Sequence, residues 1–148
     1  DLDYFKEVND TLGHPTGDKV LKKLAHIITE NIRKADWAFR YGGEEFVLIL
    51  PDTGLAGAEK AAEDVRNAVE NTPIPVLGEN NQEIKLEKTI SVGVSSTEQI
   101  KEWKEVNNGN IKDILNRLIS NADKAMYESK ENGRNQVTVF SPKEEAEG

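Results

Sequence analysis

Two stretches of this chain hold most of the residues able to do chemistry. The first is Asp1-Leu2-Asp3-Tyr4-Phe5-Lys6-Glu7-Val8-Asn9-Asp10, continued by Gly13-His14-Pro15 and Gly17-Asp18. The second is Arg40-Tyr41-Gly42-Gly43-Glu44-Glu45-Phe46. Successive side chains along a strand point to opposite faces, so Glu44 and Glu45 beside a glycine turn cannot both face one site. One can face it while the other supports it or faces away. Oxygen ligands brought together from separate segments are what a hard divalent cation such as magnesium requires, and magnesium commonly completes its shell with substrate phosphates. The same letters also describe a charged, glycine-containing hairpin tip, a common surface feature.

Positioning these stretches falls to elements that alternate between helical and strand periods. From Asp18 to Lys34, the apolar residues Val20, Leu21, Leu24, Ile27, Ile28 and Ile32 follow helical spacing with charged residues between them. Trp37 to Tyr41 and Glu45 to Leu50 read as two strands around a tight Gly42-Gly43-Glu44 turn. The second arm is apolar on both faces, so both are expected to be covered. Leu55, Ala58, Ala61, Ala62, Val65, Ala68 and Val69 form the next helix, with Pro73 and Pro75 ending its pattern. Ile84 and Leu86, then Ile90, Val92 and Val94, alternate as strands after the polar turn at Glu79-Asn80-Asn81. A short polar helix is expected around Ile100 and Trp103, breaking at Asn107-Asn108-Gly109. A long helix from Ile111 to about Glu131 stops at Gly133, and Gln136 to Phe140 closes as a strand. The order predicts an α/β (α+β) sandwich with a mixed central sheet flanked by helices.

Composition sets the outer bounds. At 148 residues one core is the default, covering residues 1–140, with the Glu-rich stretch 141–148 as a flexible acidic tail. Hydrophobic residues at 36% and charged residues at 31% exclude a membrane protein and exceed the apolar poverty of a disordered chain. The longest apolar run, Phe46 to Leu50, is far below the roughly 20 residues of a spanning helix. A net charge of −8 opposes nonspecific nucleic-acid or anionic-membrane binding, but a few placed cations still admit a small phosphorylated ligand. With no cysteine, disulfides, thiolate metal sites and cysteine nucleophiles are out, and a reducing, cytoplasmic compartment fits. The chain opens on Asp1 without a leader, so any sensor region, membrane-tethered or not, is expected outside it.

Gly42-Gly43-Glu44-Glu45-Phe46 resembles the signature of the GGDEF domain, the diguanylate cyclase family, in its GGEEF form. Asp1-Leu2-Asp3-Tyr4-Phe5-Lys6 is similar to the family's D-x-D-x-F-K segment. Asn9-Asp10 and Gly13-His14 to Asp18 resemble its N-D-x-x-G-H-x-x-G-D run, and Ala122-Asp123 to Arg134-Asn135 its A-D-x-A-x-Y-x-x-K-x-x-G-R-N ending. In order, these blocks span nearly the whole chain.

The resemblance implies condensation of two GTP molecules into cyclic di-GMP with release of pyrophosphate, each 3′-hydroxyl attacking the other nucleotide's α-phosphate. Because the product is two-fold symmetric, it also implies a homodimer with one GTP per copy. Position by position, Asp1, the Leu2 carbonyl and Glu44 would hold two Mg²⁺ (or Mn²⁺) ions per active site, with Glu45 assisting. Glu44 would be the base for the 3′-hydroxyl. Asn9 and Asp18, with His14 close by, would read guanine, which offers two adjacent donors and an acceptor. Asp18 equally suits a helix cap, and His14 a turn. Lys6, Lys130 and Arg134 would face the triphosphate, Lys6 stabilising charge at the α-phosphate. Lys130 and Arg134 equally suit the C-terminus of a helix.

Arg33-Lys34-Ala35-Asp36, just ahead of Gly42, resembles the family's RxxD inhibitory site for its own product. A surface ion pair at a helix end accounts for the same two residues. A second arginine often joins from the following helix, where Asp64 and Arg66 stand here. Two departures from the family accompany these matches. The family domain has a helix and most of a hydrophobic strand before Asp1, so this chain is expected to be part of a longer protein with an N-terminal sensor or regulatory domain. Thr97 to Lys112 is also longer than the family spacing. A noncatalytic receptor binding cyclic di-GMP through Arg33 and Asp36 is the alternative.

Overall fold

The computed structural model describes residues 1–100, 103 and 111–142. Phe5–Leu12 forms α1, which buries Phe5 and Val8 one turn apart. Gly13, at φ +81°, ends α1 and lets the chain turn directly into α2, His14–Glu30, with Pro15 in its first turn. A hairpin follows, β1 Trp37–Gly42 and β2 Glu45–Ile49, antiparallel with Phe39 opposite Val47 and an irregular step between Arg40 and Gly42. Next come α3, Leu55–Glu70, and a second antiparallel pair, β3 Ile74–Leu77 with β4 Glu83–Leu86. β5, Val92–Val94, leads through a 3-10 turn at Thr97–Gln99 to α4, Ile111–Glu131, and β6, Val137–Val139, pairs parallel to β5.

The core lies where α1, α2 and α3 meet the strands: Leu2, Val8, Val20, Leu24, Ile28, Val65, Val69, Ile74 and Ile90 are all buried in one cluster. Among the described residues no helix is long and apolar enough to cross a membrane.

The mixed α/β character matches the expectation, and several details differ. The sheet is divided into three two-stranded pairs. What joins the hairpin to β5 is the opening segment, where Leu2 bridges Ile90 and its N–H reaches the Glu44 carbonyl at 3.3 Å. That ladder cannot continue, because Tyr4 turns left-handed at φ 55° and α1 begins at Phe5. Helix α1 itself was hidden in the sequence by its short length and its polar neighbours. β3 forms despite Pro75, since Ile74 and Val76 alternate inward while Pro75 and Leu77 face out. Helix α2 begins at His14 and ends at Glu30, so Asp18 lies inside it and is not its cap. Of the short helix expected around Ile100 and Trp103, the described residues show the 3-10 turn at Thr97–Gln99 and a further turn in which the Trp103 N–H donates to the Ile100 carbonyl at 3.0 Å; 101–102, 104–110 and the tail from 143 lie outside them. β1 carries Trp37, Phe39 and Tyr41 on one exposed face, with the first two rings stacked at 6.2 Å.

Helix α4 sits directly on β5. A Cβ at Gly93 would fall 1.9 Å from the Ala122 carbonyl oxygen and 2.3 Å from the Met126 nitrogen. The Ser129 hydroxyl donates to the Val92 carbonyl at 2.9 Å, and the Ser95 hydroxyl to Leu118 at 2.7 Å, holding the helix at this height. Gly93→Ala is therefore expected to destabilise the fold by about 3 kcal/mol. Denaturant unfolding checks this, and an unchanged midpoint would contradict the contact.

Candidate active site

The opening segment is held on both sides. On one side the Asp1 carbonyl accepts from Ser91 N–H at 3.0 Å and Asp3 N–H donates to the Thr89 carbonyl at 3.0 Å. On the other, Leu2 N–H meets the carbonyl of Glu44, within the turn after Gly43 (φ +37°). In an extended residue N–H and C=O point the same way, so the Leu2 carbonyl also faces the hairpin bend. The two chemistry-bearing stretches thus meet at Leu2 and Glu44.

The Asp1 carboxylate is 5% exposed and lies 2.8 Å from the Lys130 ammonium, in the last turn of α4. Its Oδ1 makes no well-directed hydrogen bond, so the contact is chiefly ionic. The carboxylates of Asp3, Glu45 and Glu44 lie within electrostatic reach of the Asp1 backbone nitrogen. Among the described residues no three acidic or imidazole side chains close into a metal-holding cluster. The expected ligand set, Asp1, Glu44 and the Leu2 carbonyl with Glu45 assisting, consists of hard oxygen donors, with phosphates left to complete a shell. A buried carboxylate whose ionic partner is a partly exposed ammonium, beside a carbonyl facing the same bend, fits that set in kind.

Asn9 sits on α1 with its Oδ1 buried and unpartnered, pressed towards Gly17 on α2, where a Cβ would fall 1.9 Å away. An unpaired buried acceptor costs about 1–3 kcal/mol, so its presence is notable at a position expected to receive guanine N–H groups. Asp18, the next residue after Gly17, lines a cavity of about 410 Å³ with Leu21, Lys22, Ala38, Phe39 and Phe46. His14 is exposed at the start of α2. Lys6 is paired with Asp10 at 3.2 Å on an exposed face of α1.

Arg134 follows Gly133 in a left-handed turn, with φ 63° at Arg134 and 46° at Asn135. Its guanidinium lies over the Tyr4 ring, 4.7 Å from the centroid, and Lys88 approaches the same ring at 5.9 Å. Desolvation lowers the Lys88 ammonium, which donates to the Tyr4 carbonyl at 3.4 Å. Asp3 and Tyr4 lie inside the D-x-D-x-F-K segment with no role implied for either. Alternation along the opening strand was the available signal, placing Asp1 and Asp3 on the face opposite Leu2.

Arg33 and Asp36 form a closed pair. The Arg33 Nη2 lies 2.7 Å from Asp36 Oδ1, and the Arg33 backbone N–H donates to Oδ2 at 2.9 Å. The same Nη2 reaches Thr53 Oγ1 and the Pro51 carbonyl. Arg66 is engaged elsewhere, with Glu63 and Glu70 each at 2.9 Å and Asn135 Oδ1 at 2.8 Å.

Comparison with known proteins gives a consistent result. The family described as "Diguanylate cyclase, GGDEF domain" matches residues 1–136. Diguanylate cyclase A of Treponema denticola is 45% identical over 139 residues, covering 94% of this chain and 33% of that protein. The response regulator PleD of Caulobacter vibrioides is 42% identical over 93% of this chain and 27% of its own length. The chain thus spans about a third or less of these curated relatives. Among solved structures, the GGDEF domain of PA1120 from Pseudomonas aeruginosa matches with a TM-score of 0.76 at 28% identity, covering 96% of this chain and 79% of that one. The GGDEF domain of DgcB from Caulobacter crescentus, in complex with c-di-GMP, also reaches 0.76 at 30% identity, covering 96% and 73%.

The Arg33 hydrogen bonds hold the Asp36 carboxyl below its ordinary value of 3.8. A depressed carboxyl stabilises the fold at pH above its unfolded value, and that contribution disappears as pH falls through the folded one. Carbon-detected NMR is expected to place the Asp36 midpoint below 3.8, and Arg33→Ala to return it upward. A midpoint that does not move would mean the pair is open in solution.

Proposed function

Since this chain belongs to the GGDEF, diguanylate cyclase, family, we propose that it is the catalytic domain of a bacterial diguanylate cyclase, condensing two GTP into cyclic di-GMP and two pyrophosphates. The observation that carries this reading is the meeting of the opening residues with the Gly43-Glu44 bend, Leu2 N–H on the Glu44 carbonyl at 3.3 Å. It supports a site in which the Asp1 carboxylate, the Leu2 carbonyl and the Glu44 side chain act together, with Glu45 assisting.

In this reading these oxygens hold divalent magnesium or manganese, two ions per site, which neutralise phosphate charge and lower the barrier to in-line transfer. Glu44 takes the proton of the attacking 3′-hydroxyl. Lys130 leaves Asp1 for phosphate oxygens, joined there by Arg134, which its seat on Tyr4 holds ready. Lys6 swings from Asp10, an exposed pair worth about 0.3–0.5 kcal/mol, to charge developing on the α-phosphate. Asn9 and Asp18 read the guanine edge, the unpartnered Asn9 oxygen accepting from it, and His14 stands beside them.

Because each nucleotide supplies the nucleophile for the other, two copies must face each other, so turnover needs a homodimer. Product feedback follows from Arg33 and Asp36, whose closed pair opens to take phosphate and guanine groups of cyclic di-GMP. Arg66 is too fully engaged to join them without breaking its bonds to Glu63, Glu70 and Asn135. A regulatory domain in the longer protein would then act by bringing catalytic domains together.

The test is incubation of the full-length protein with GTP and magnesium, with ATP run in parallel. Cyclic di-GMP is expected from GTP alone, and Glu44→Ala is expected to lower turnover by at least about 10²-fold. Arg33→Ala should leave the initial rate intact and remove inhibition by added product. Tight product binding without turnover would instead mark a receptor.

A further inference from the structure

Asp3 is 1% exposed, and a carboxylate this deep must be compensated. Its compensation is three neutral donors: Ser91 Oγ at 2.6 Å on Oδ1, with Thr89 Oγ1 at 2.7 Å and the Asn135 backbone N–H at 3.1 Å on Oδ2. Two of these come from the segment that runs beside the opening residues just before β5 and the third from the turn after α4. One side chain therefore ties together the segment carrying Asp1 and Leu2 and the loop carrying Arg134.

That loop needs such a tie. Gly133, Arg134 and Asn135 take positive φ in succession, 110°, 63° and 46°, a conformation that persists only where surrounding contacts enforce it. Asn135 is further gripped by Arg66 at 2.8 Å and Glu70 at 2.8 Å through its side chain. The Arg134 guanidinium then rests on Tyr4, the residue after Asp3, itself left-handed at φ 55°. An apolar side chain would fill this space without the desolvation cost of a charge, so packing alone does not account for a carboxylate here.

We propose that Asp3 is a positioning residue: by accepting the Asn135 N–H it fixes where the Arg134 guanidinium stands relative to Asp1 and Leu2. It touches no substrate, and it sets the spacing between the metal-facing and phosphate-facing halves of the site. The claim rests on the cyclase reading for its kinetic consequences but not for its structural ones.

The experiment compares parent, Asp3→Ala, Asp3→Asn, Arg134→Ala and the Asp3→Ala/Arg134→Ala double variant in the full-length protein. Three readouts are taken: kcat and KM for GTP, binding of inorganic pyrophosphate by calorimetry, and hydrogen exchange at the Asn135 amide. Asp3→Ala is expected to raise KM and weaken pyrophosphate binding about tenfold or more and to speed Asn135 exchange, because a displaced cation loses its contact geometry. Asp3→Asn, which keeps an acceptor oxygen, is expected to recover most of the loss. In the Arg134→Ala background, Asp3→Ala should add little, since both act through one contact. Multiplying effects, or unchanged KM and pyrophosphate binding in a folded Asp3→Ala protein, would overturn the proposal. If Asp3→Ala does not fold, Thr89→Val with Ser91→Ala loosens the carboxylate while leaving it in place. A KM increase supports the role, and none overturns it. A parent that makes no product from GTP defeats the cyclase reading alone, because pyrophosphate affinity and Asn135 exchange are read without turnover.

Discussion

The constraint on which the rest of the molecule depends is that residues 1–3 are clasped from both sides. Backbone bonds to Thr89 and Ser91 fix one edge, and the Glu44 carbonyl meets the other. With a single Leu2–Ile90 bridge, this narrow seam joins the hairpin to the β5–β6 pair among the described residues. Burial of Leu2 at 1% exposure beneath it, among Val20, Leu24 and Val69, ties the seam to the core. A change in core packing is thereby felt directly at the carboxylates of Asp1 and Asp3.

Charge is arranged locally against the trend of the whole. The chain carries −8 overall, yet Lys130, Arg134 and Lys88 gather around Asp1 and Tyr4. An anionic ligand approaching such a protein meets a net repulsive field that clustered cations reverse locally, which favours a small, divalent-ion-bearing phosphate over an extended polyanion. The hydroxyl and amide donors around Asp3 do a separate task, satisfying a buried charge without spending a cation on it.

Much of this was legible in the sequence because periodicity and punctuation agree. Helices α3 and α4 and the Trp37–Ile49 hairpin stand where their patterns predict, each long enough for a period to declare itself. What was not legible is equally specific. Helix α1 has eight residues, too few for a persuasive period, and it starts right after a left-handed Tyr4 that no local pattern announces. β3 looked like a helix stop because its prolines were read as breakers, whereas only the inward Ile74 and Val76 decide its burial. Motif letters located Lys6 but not its partner Asp10, one turn along α1, and they coupled Arg33 with Asp36 without showing that Thr53, in the loop before α3, joins them. The division of roles within Asp1-Leu2-Asp3, one carboxylate on a lysine and the other on hydroxyls, follows from tertiary neighbours some 90 or more residues distant.

Helix α4 rests on bare backbone at Gly93, with no methyl between them. A side chain at such a contact acts as a compressible shim whose thickness can drift with mutation; without one, the separation is set by van der Waals radii alone. Position 93 therefore works as a gauge block. It delivers the far end of a 21-residue helix to one height above the opening strand, and the tolerance of that delivery is inherited by every ammonium and guanidinium beyond it.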